Sequence, residues 1–234
     1  MAIRKTMGRE NVIMKFSDIH MDVIFIANTK SDRLRAMTQK AIDTCRDADN
    51  LSYHFYVIEQ NRKSHPYENT RTVYYDFPFN YHKCANLGVY YSAKYSNSPF
   101  VAICNTDLVF ALRWGKNITY AMSKGYLSAS PSRVFFNSIT EGYDTGKQVC
   151  GWCIVVHRDV FKHIGEFNEA VSFWYSDNLY AEQLKTAGIK HILVGTSNVG
   201  HLISQTSRGR DINLRELRQG QRKAFNKAKL KLLK

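Results

Sequence analysis

Several things are missing from this chain of 234 residues. No apolar run approaches the roughly 20 residues of a membrane span, so no transmembrane segment is expected. The opening stretch MAIRKTMGRENVIMKF lacks the continuous apolar core of a signal peptide. Cysteine is sparse, with five residues at 45, 84, 104, 150 and 153, which excludes a disulfide scaffold and makes a reducing cytoplasm the expected compartment. Cys150 and Cys153 have CxxC spacing, but no second pair completes a zinc site. A strand over 150–156 would turn them to opposite faces, so neither metal nor redox use is expected of them. No internal repeat is present, which excludes a solenoid. Acidic residues are in deficit, 20 against 33 Lys and Arg, leaving a net charge of +13.

That excess is uneven. Arg208–Lys234 holds ten basic residues and two acidic ones. A concentration of this kind suits a polyanionic partner, either nucleic acid or an anionic membrane surface. A solubilising terminal helix is the competing reading. The length and a 44% hydrophobic content suit one α/β domain with a sizeable core, alone or with an appendage.

In chain order, 21–27 (MDVIFIA) reads as a strand. A polar turn follows, in which Ser31 or Asp32 caps a helix with Leu34, Met37, Ala41 and Ile42 on one face. Strand, polar loop and helix make half of a βαβ unit. Further strands are expected over 53–58, 72–75, 100–104, 126–130, 149–156 and 189–194. Helices are expected over 81–95, 113–124, 158–164 and 177–186, the last ended by Gly188, with a basic helix from about 213. Residues 135–147 read as a loop long enough for a lid or an acceptor contact, and Gly200-His201 as the start of a polar loop. The predicted architecture is a single Rossmann-like α/β domain over 21–205, with a mixed sheet and helices on both faces. A basic extension precedes it over 1–20, and a basic helical tail follows over 206–234.

The chain is organised around 99–110, PFVAICNTDLVF. A short buried strand delivers Asn105-Thr106-Asp107 at its carboxyl end, where open α/β sheets place ligands. A carboxylate and an amide two residues apart can share a hard cation with phosphate oxygens. A plain turn or cap uses the same residue types.

Four local patterns, in order, resemble the family-two type of nucleotide-sugar glycosyltransferase, whose fold is called GT-A. VIFIANTKSDRLRAMTQKAI resembles its opening strand, loop and helix. YVIEQN resembles its second strand, ending in an acidic nucleoside contact. FNYHKCANLGVYYS followed by FVAICNTDLVF resembles the helix and strand leading to the metal-binding Asp-x-Asp. GWCIVVHRDVFKHIGEFNE, then WYSDNLYAEQLKTAG, then GH, resembles the acceptor-side half. The resemblance covers roughly 21–205. Two positions depart from it. The Asp-x-Asp is Asn105-Thr106-Asp107 here, and the Glu-Asp pair is Ser176-Asp177; the second Asp is kept in both.

The resemblance implies a metal-dependent, inverting transfer from a nucleotide-sugar, a UDP-sugar by preference, with Mn2+ or Mg2+ as cofactor. Asp107 would hold the metal, assisted by Asn105, with His201 as a third contact. Asp177 would be the base that deprotonates the acceptor hydroxyl, although a residue at a helix start is often only a cap. Donor contacts would come from Ala27, Asn28, Thr29 and Arg33 around the first loop, and from Glu59, Asn86, Asn105 and Trp152. Trp152 and Trp174 can stack on sugar or base, or serve only as core. The basic tail makes DNA with hydroxylated bases the expected acceptor, as in DNA-modifying glycosyltransferases of bacteriophages. A glycan or lipid-linked acceptor is the alternative, and so is an inactive nucleic-acid-binding protein of the same fold. The sugar, the base, the preferred metal and the oligomeric state stay open at this level.

Overall fold

The structure is a computed structural model. It describes residues 20–202 and 214–232, with side chains of the last helix from residue 218 onward. The basic extension before His20, and Arg208 and Arg210 of the tail, lie outside the described residues.

The chain opens with strand β1 (His20–Ala27) and helix α1 (Asp32–Asp47), then β2 (Ser52–Glu59) and β3 (Arg71–Tyr74). Helix α2 (Tyr81–Tyr95), β4 (Phe100–Cys104), β5 (Leu108–Phe110) and α3 (Trp114–Met122) follow. The second half holds β6 (Ser128–Ser132), β7 (Ile139–Glu141), β8 (Cys153–His157), α4 (Val160–Ile164), α5 (Ser176–Thr186), β9 (His191–His201) and α6 (Leu214–Leu232). The strands form one mixed sheet in the order β3-β2-β1-β4-β8-β6-β9-β5, with β7 added on β9. β1, β2, β3 and β4 are parallel, whereas β8 runs antiparallel to both β4 and β6. Parallel neighbours need crossovers, which α1 and α2 supply.

Alternation along β1 sends Met21, Val23 and Phe25 to one face and Ile24 and Ile26 to the other. The first face packs on Ala41, Ile42 and Cys45 of α1 and on Trp114 and Ile118 of α3. The second packs on Cys84 and Ala85 of α2 and on Tyr180, Ala181 and Leu184 of α5. α2 approaches closely because Gly88 faces Ile24: a Cβ there would stand 2.4 Å from Ile24 Cγ2. On α1, Ser31 is the cap, its hydroxyl accepting from Leu34 N at 3.3 Å. The buried stripe of α1 is Thr38, Ala41, Ile42 and Cys45, so Leu34 and Met37 are only half-buried.

Three expectations change. β7 lies inside the predicted 135–147 loop, where Ile139–Glu141 pairs with β9 in short antiparallel register. β8 begins only at Cys153, because residues 150–152 form a turn closed by Cys153 N donating to Cys150 O at 2.9 Å. β9 runs on to His201, so Gly200-His201 is strand paired with β5, Leu108 opposite His201. Polar composition misled in the last case: over 196–201 only Ser197 and Val199 are buried, and a strand with one wet face needs few apolar residues.

Tertiary structure alone produces a buried ion pair at the amino edge. Asp22 on β1 is 0% exposed and its Oδ2 lies 2.6 Å from Arg158 Nη2. Arg158 also donates to Ser98 O at 2.7 Å and Ser92 Oγ at 2.8 Å, and His54 Nδ1 lies 3.1 Å from Asp22 Oδ1. The cluster ties β1, β2, α2 and the end of β8 together. Asp22→Ala, which strands the guanidinium, should cost about 3–5 kcal/mol, whereas Asp22→Ala with Arg158→Met should recover much of it. Chemical denaturation of the three proteins checks this; an unchanged midpoint for Asp22→Ala would show that the pair contributes nothing.

Candidate active site

The carboxyl ends of β1, β2 and β4 lie on one edge of the sheet, with β1 between the other two. Asn105-Thr106-Asp107 leaves β4 at that edge, and Glu59 closes β2 there. β8 starts at this edge because it is antiparallel to β4, with Cys104 opposite Cys153. Asn105 N donates to Trp152 O at 2.9 Å and so fastens the 150–152 turn to the end of β4.

Asp107 is 2% exposed. Its Oδ1 lies 3.3 Å from His201 Nε2, and its backbone oxygen accepts from Leu202 N at 2.9 Å. The Trp152 ring stacks on His201 at 5.4 Å between centroids. Asp107, His201, Asn105 and Trp152, far apart in sequence, therefore form one connected group. Among the described residues no three His, Cys, Asp or Glu side chains converge as a metal cage. Asp107, two residues after Asn105, and His201 place one carboxylate oxygen and one imidazole nitrogen side by side. An oxygen and an imidazole donor are chemically compatible with a divalent ion that takes its other ligands from elsewhere.

Asp177 lies in the first turn of α5, behind the same turn. The space for it exists because residue 151 is glycine: a Cβ on Gly151 would stand 2.8 Å from Asp177 Cβ and 3.1 Å from Oδ2. Tyr81, at the start of α2, donates its hydroxyl to Gly151 O at 3.0 Å from the other side. The helix begins from Tyr175 in the left-handed region, φ 69, without a side-chain cap. Asp177 is therefore not the cap; its Oδ1 accepts from Asn178 N at 2.9 Å. Burial pushes its carboxyl above the usual carboxylate range, partly offset by backbone donors.

The expected donor loop is present but turned inward. Glu59 is 0% exposed. It accepts from Thr29 N at 3.0 Å, Asn61 N at 2.8 Å and Tyr67 Oη at 2.9 Å. These bonds make Glu59, an expected donor contact, a clamp that sets the loops after β1 and β2. Thr29 also bonds Tyr67 through its hydroxyl and accepts from Asn61 through its carbonyl. Asn28 donates to Gln60 Oε1 at 2.7 Å, Ala27 is buried at the end of β1, and Arg33 is exposed on the first turn of α1.

Asn86, an expected donor contact, is bonded to the 167–169 segment: its amide donates to Phe167 O and Glu169 Oε1, both at 2.9 Å, and accepts from Phe167 N at 3.0 Å. Trp174 packs edge-on against Phe173 at 5.5 Å, outside the group around Asp107. The CxxC pair is divided by the turn rather than by strand alternation. Cys150 donates to Lys147 O at 3.6 Å, while Cys153 faces Cys104, the sulfurs 3.6 Å apart. All five cysteines are free, and burial raises the Cys150 thiol to about 12. Gly151 and Tyr67 were missed from sequence. A glycine next to a tryptophan at a strand entrance was a signal for the first; Tyr67, inside a polar loop, carried none.

No family model matches the chain, and no curated protein matches it. Solved structures do. GalNAc-T7, solved with UDP, GalNAc and Mn2+, superposes with a TM-score of 0.59 at 10% identity, over 78% of this chain and 44% of that one. The chain thus spans less than half of that neighbour's length. At this identity the likeness is one of fold, and it agrees with the mixed, helix-flanked sheet of a GT-A-type, Rossmann-like domain.

The raised Asp177 carboxyl makes a stability prediction. A carboxyl with a higher pKa folded than unfolded binds its proton more tightly in the folded state. The ionised form therefore costs stability above the folded pKa, and the cost vanishes below the unfolded one. Asp177→Asn should melt higher than the native chain at pH 7.5, with the gain shrinking toward pH 4. Thermal melts across that range check the sign; a loss of stability at pH 7.5 would contradict it.

Proposed function

We propose that this protein is a metal-dependent, inverting glycosyltransferase that uses a nucleotide-sugar, a UDP-sugar by preference. The observation that carries the reading is the convergence of Asp107, His201 and Asp177 around the turn at Gly151 and Trp152, on the carboxyl edge of a GT-A-type sheet. Binding of UDP, GalNAc and Mn2+ by GalNAc-T7 is in keeping with it.

On this reading Asp107 and His201, with Asn105 two residues before Asp107, would hold Mn2+ or Mg2+, and the ion would neutralise charge on the leaving diphosphate. Glu59 and Tyr67 keep the loops at Asn28–Thr29 and Gln60–Asn61 in the shape that receives the nucleoside. Trp152, half-buried over His201, presents its remaining face to the sugar. Asp177 takes the proton of the acceptor hydroxyl as that oxygen attacks the anomeric carbon from the side opposite the leaving phosphate. Inversion follows from a single displacement, so no protein nucleophile is needed. Burial suits Asp177 to this task, because a raised pKa strengthens a carboxylate as a base near neutral pH.

For the acceptor we propose a hydroxymethylated base in DNA. Support comes from the +13 charge and from α6. Its apolar side, with Phe225 and Ala228, packs against Val171, Leu179 and Tyr175. An interfacial membrane helix needs that side for the bilayer. What faces outward includes Arg218, Arg222 and Lys227, suited to phosphates. A duplex target would have to leave the stack to reach Asp177. The test is a screen of nucleotide-sugars against hydroxymethylated and unmodified DNA, and against glycan acceptors, read by mass spectrometry. A sugar on the hydroxymethylated base supports the reading, and transfer only to glycans overturns the DNA acceptor. The absence of both transfer and donor hydrolysis overturns the enzyme.

Two substitutions separate the roles. Asp107→Ala should abolish transfer and Mn2+-dependent UDP binding by calorimetry, while Asn105→Asp should preserve or tighten both; wild-type turnover in Asp107→Ala would place the site elsewhere. Asp177→Asn should leave UDP affinity near wild type and lower transfer at least ~100-fold, the low end for a positioned base. An equal fall in UDP affinity would make Asp177 structural.

A further inference from the structure

A groove beyond the β9 side of the sheet is lined by none of the residues assigned above to sugar transfer. Its volume is about 540 Å3, and it is lined by Arg113, Lys116, Asn117, Tyr120, Phe135 and Thr196. Thr196 lies in the bulged part of β9, between Val194 opposite Pro131 and Asn198 opposite Ser132. None of the residues lining the groove is among those grouped around Asp107 and Asp177.

Its walls are built. Arg113 takes the left-handed backbone at φ 66, held by Arg113 N donating to Ala48 O at 2.7 Å. Asn117 donates its amide to Thr196 O at 2.6 Å and joins α3 to β9 across the floor. Opposite, Phe136 N donates to Gly195 O at 3.1 Å, and a Cβ on Gly195 would stand 2.3 Å from Phe136 O. That contact pins the loop carrying Phe135.

The surface chemistry is mixed in a specific way. Tyr120 is 57% exposed, Phe135 67% and Val134 70%, large apolar groups left in water. Lys124 Nζ sits 5.1 Å from the Tyr120 ring centroid, and Arg113 is exposed on the wall. No lining residue is acidic. The carboxylate nearest in the bonding pattern, Asp49, is engaged by Gly115 N at 3.0 Å, Lys116 N at 3.1 Å and Tyr53 Oη at 2.8 Å.

Cations beside exposed aromatic faces in a concave surface match a strand of phosphates with unpaired bases. A paired duplex would offer the phosphates but keep its base faces stacked. A neutral glycan would use the rings and leave the cations without a purpose. We propose that this groove binds single-stranded nucleic acid, with Arg113 and Lys116 on phosphates and Tyr120 and Phe135 stacked on bases. The inference does not rest on the sugar-transfer reading.

The test is fluorescence anisotropy of the full chain with a labelled oligothymidylate of about 12 nucleotides, within the usual site sizes. Tyr120→Ala and Phe135→Ala should each weaken binding about 5- to 100-fold, and Tyr120→Phe, which keeps the ring, should restore most of it. Arg113→Gln and Lys116→Gln should each reduce the salt slope by about 0.7. A parallel series with Arg218→Gln and Arg222→Gln separates any contribution of α6; the dependence on Tyr120 should persist there. Donor hydrolysis in Tyr120→Ala should equal wild type, so failure of the groove and failure of sugar transfer read out separately. Wild-type affinity in both alanine variants overturns the proposal, as does equal or tighter binding of a 12-base-pair duplex with no dependence on Tyr120.

Discussion

The antiparallel register of β8 on β4 is the constraint from which the site follows. With Cys104 opposite Cys153, the turn before β8 must lie at the exit of β4, where Asn105 N reaches Trp152 O. Everything placed around Asp107 then depends on what that turn carries. Trp152 covers His201 on one side, and Gly151 leaves room for Asp177 on the other. A larger residue at 151 would push the carboxylate or the helix behind it. The turn is thus the shared wall of two groups whose work, on the reading proposed, is different: holding charge on one side and accepting a proton on the other.

The same edge shows how burial changes what a carboxylate can do. Glu59 and Asp177 are both acids at the carboxyl edge, but Glu59 is enclosed by three donors and acts on the loops around it. Asp177 accepts from its neighbour's amide, and desolvation rather than hydrogen bonding dominates its ionisation. The first arrangement commits the carboxylate to the loops and leaves it no reach. The second leaves the group less stable as an anion and so a better base.

Among the described residues, two cationic surfaces differ in texture. On α6, Arg218, Arg222 and Lys227 are exposed while the apolar side is spent on α5, and Lys229 bonds Glu182 of α5 at 3.2 Å. The helix also touches the segment leading into Asp177: Phe225 stacks on Tyr175 at 5.6 Å, and Gln221 accepts from Phe173 N at 2.8 Å. Removing it would therefore disturb the first turn of α5 as well as the charge. Around the groove at Arg113, cations stand among exposed rings instead. Two basic surfaces of different texture suit two modes of polyanion contact, one by phosphate alone and one by phosphate with base.

Strong local patterns were legible in the amino-acid order. The apolar runs of β1, β2 and β4, the helix at Tyr81–Tyr95, a cap at Ser31 or Asp32 and the stop after Thr186 follow from periodicity and capping, which act over a few residues. The placement of Asn105-Thr106-Asp107 at a strand end follows from an apolar run breaking into polar residues. What sequence could not supply was decided between distant segments. The polar second half of β9 is strand because β5 pairs with it. Cys150 belongs to a turn because Asn105 anchors Trp152. Asn86 serves the 167–169 loop because α2 packs there, and Glu59 is buried because Tyr67, from a loop with no pattern, closes over it. Pairing, burial and the choice among hydrogen-bond partners are properties of chain segments brought together. A side chain's chemistry is written in its own residue, but its role is set by neighbours that lie tens of residues away.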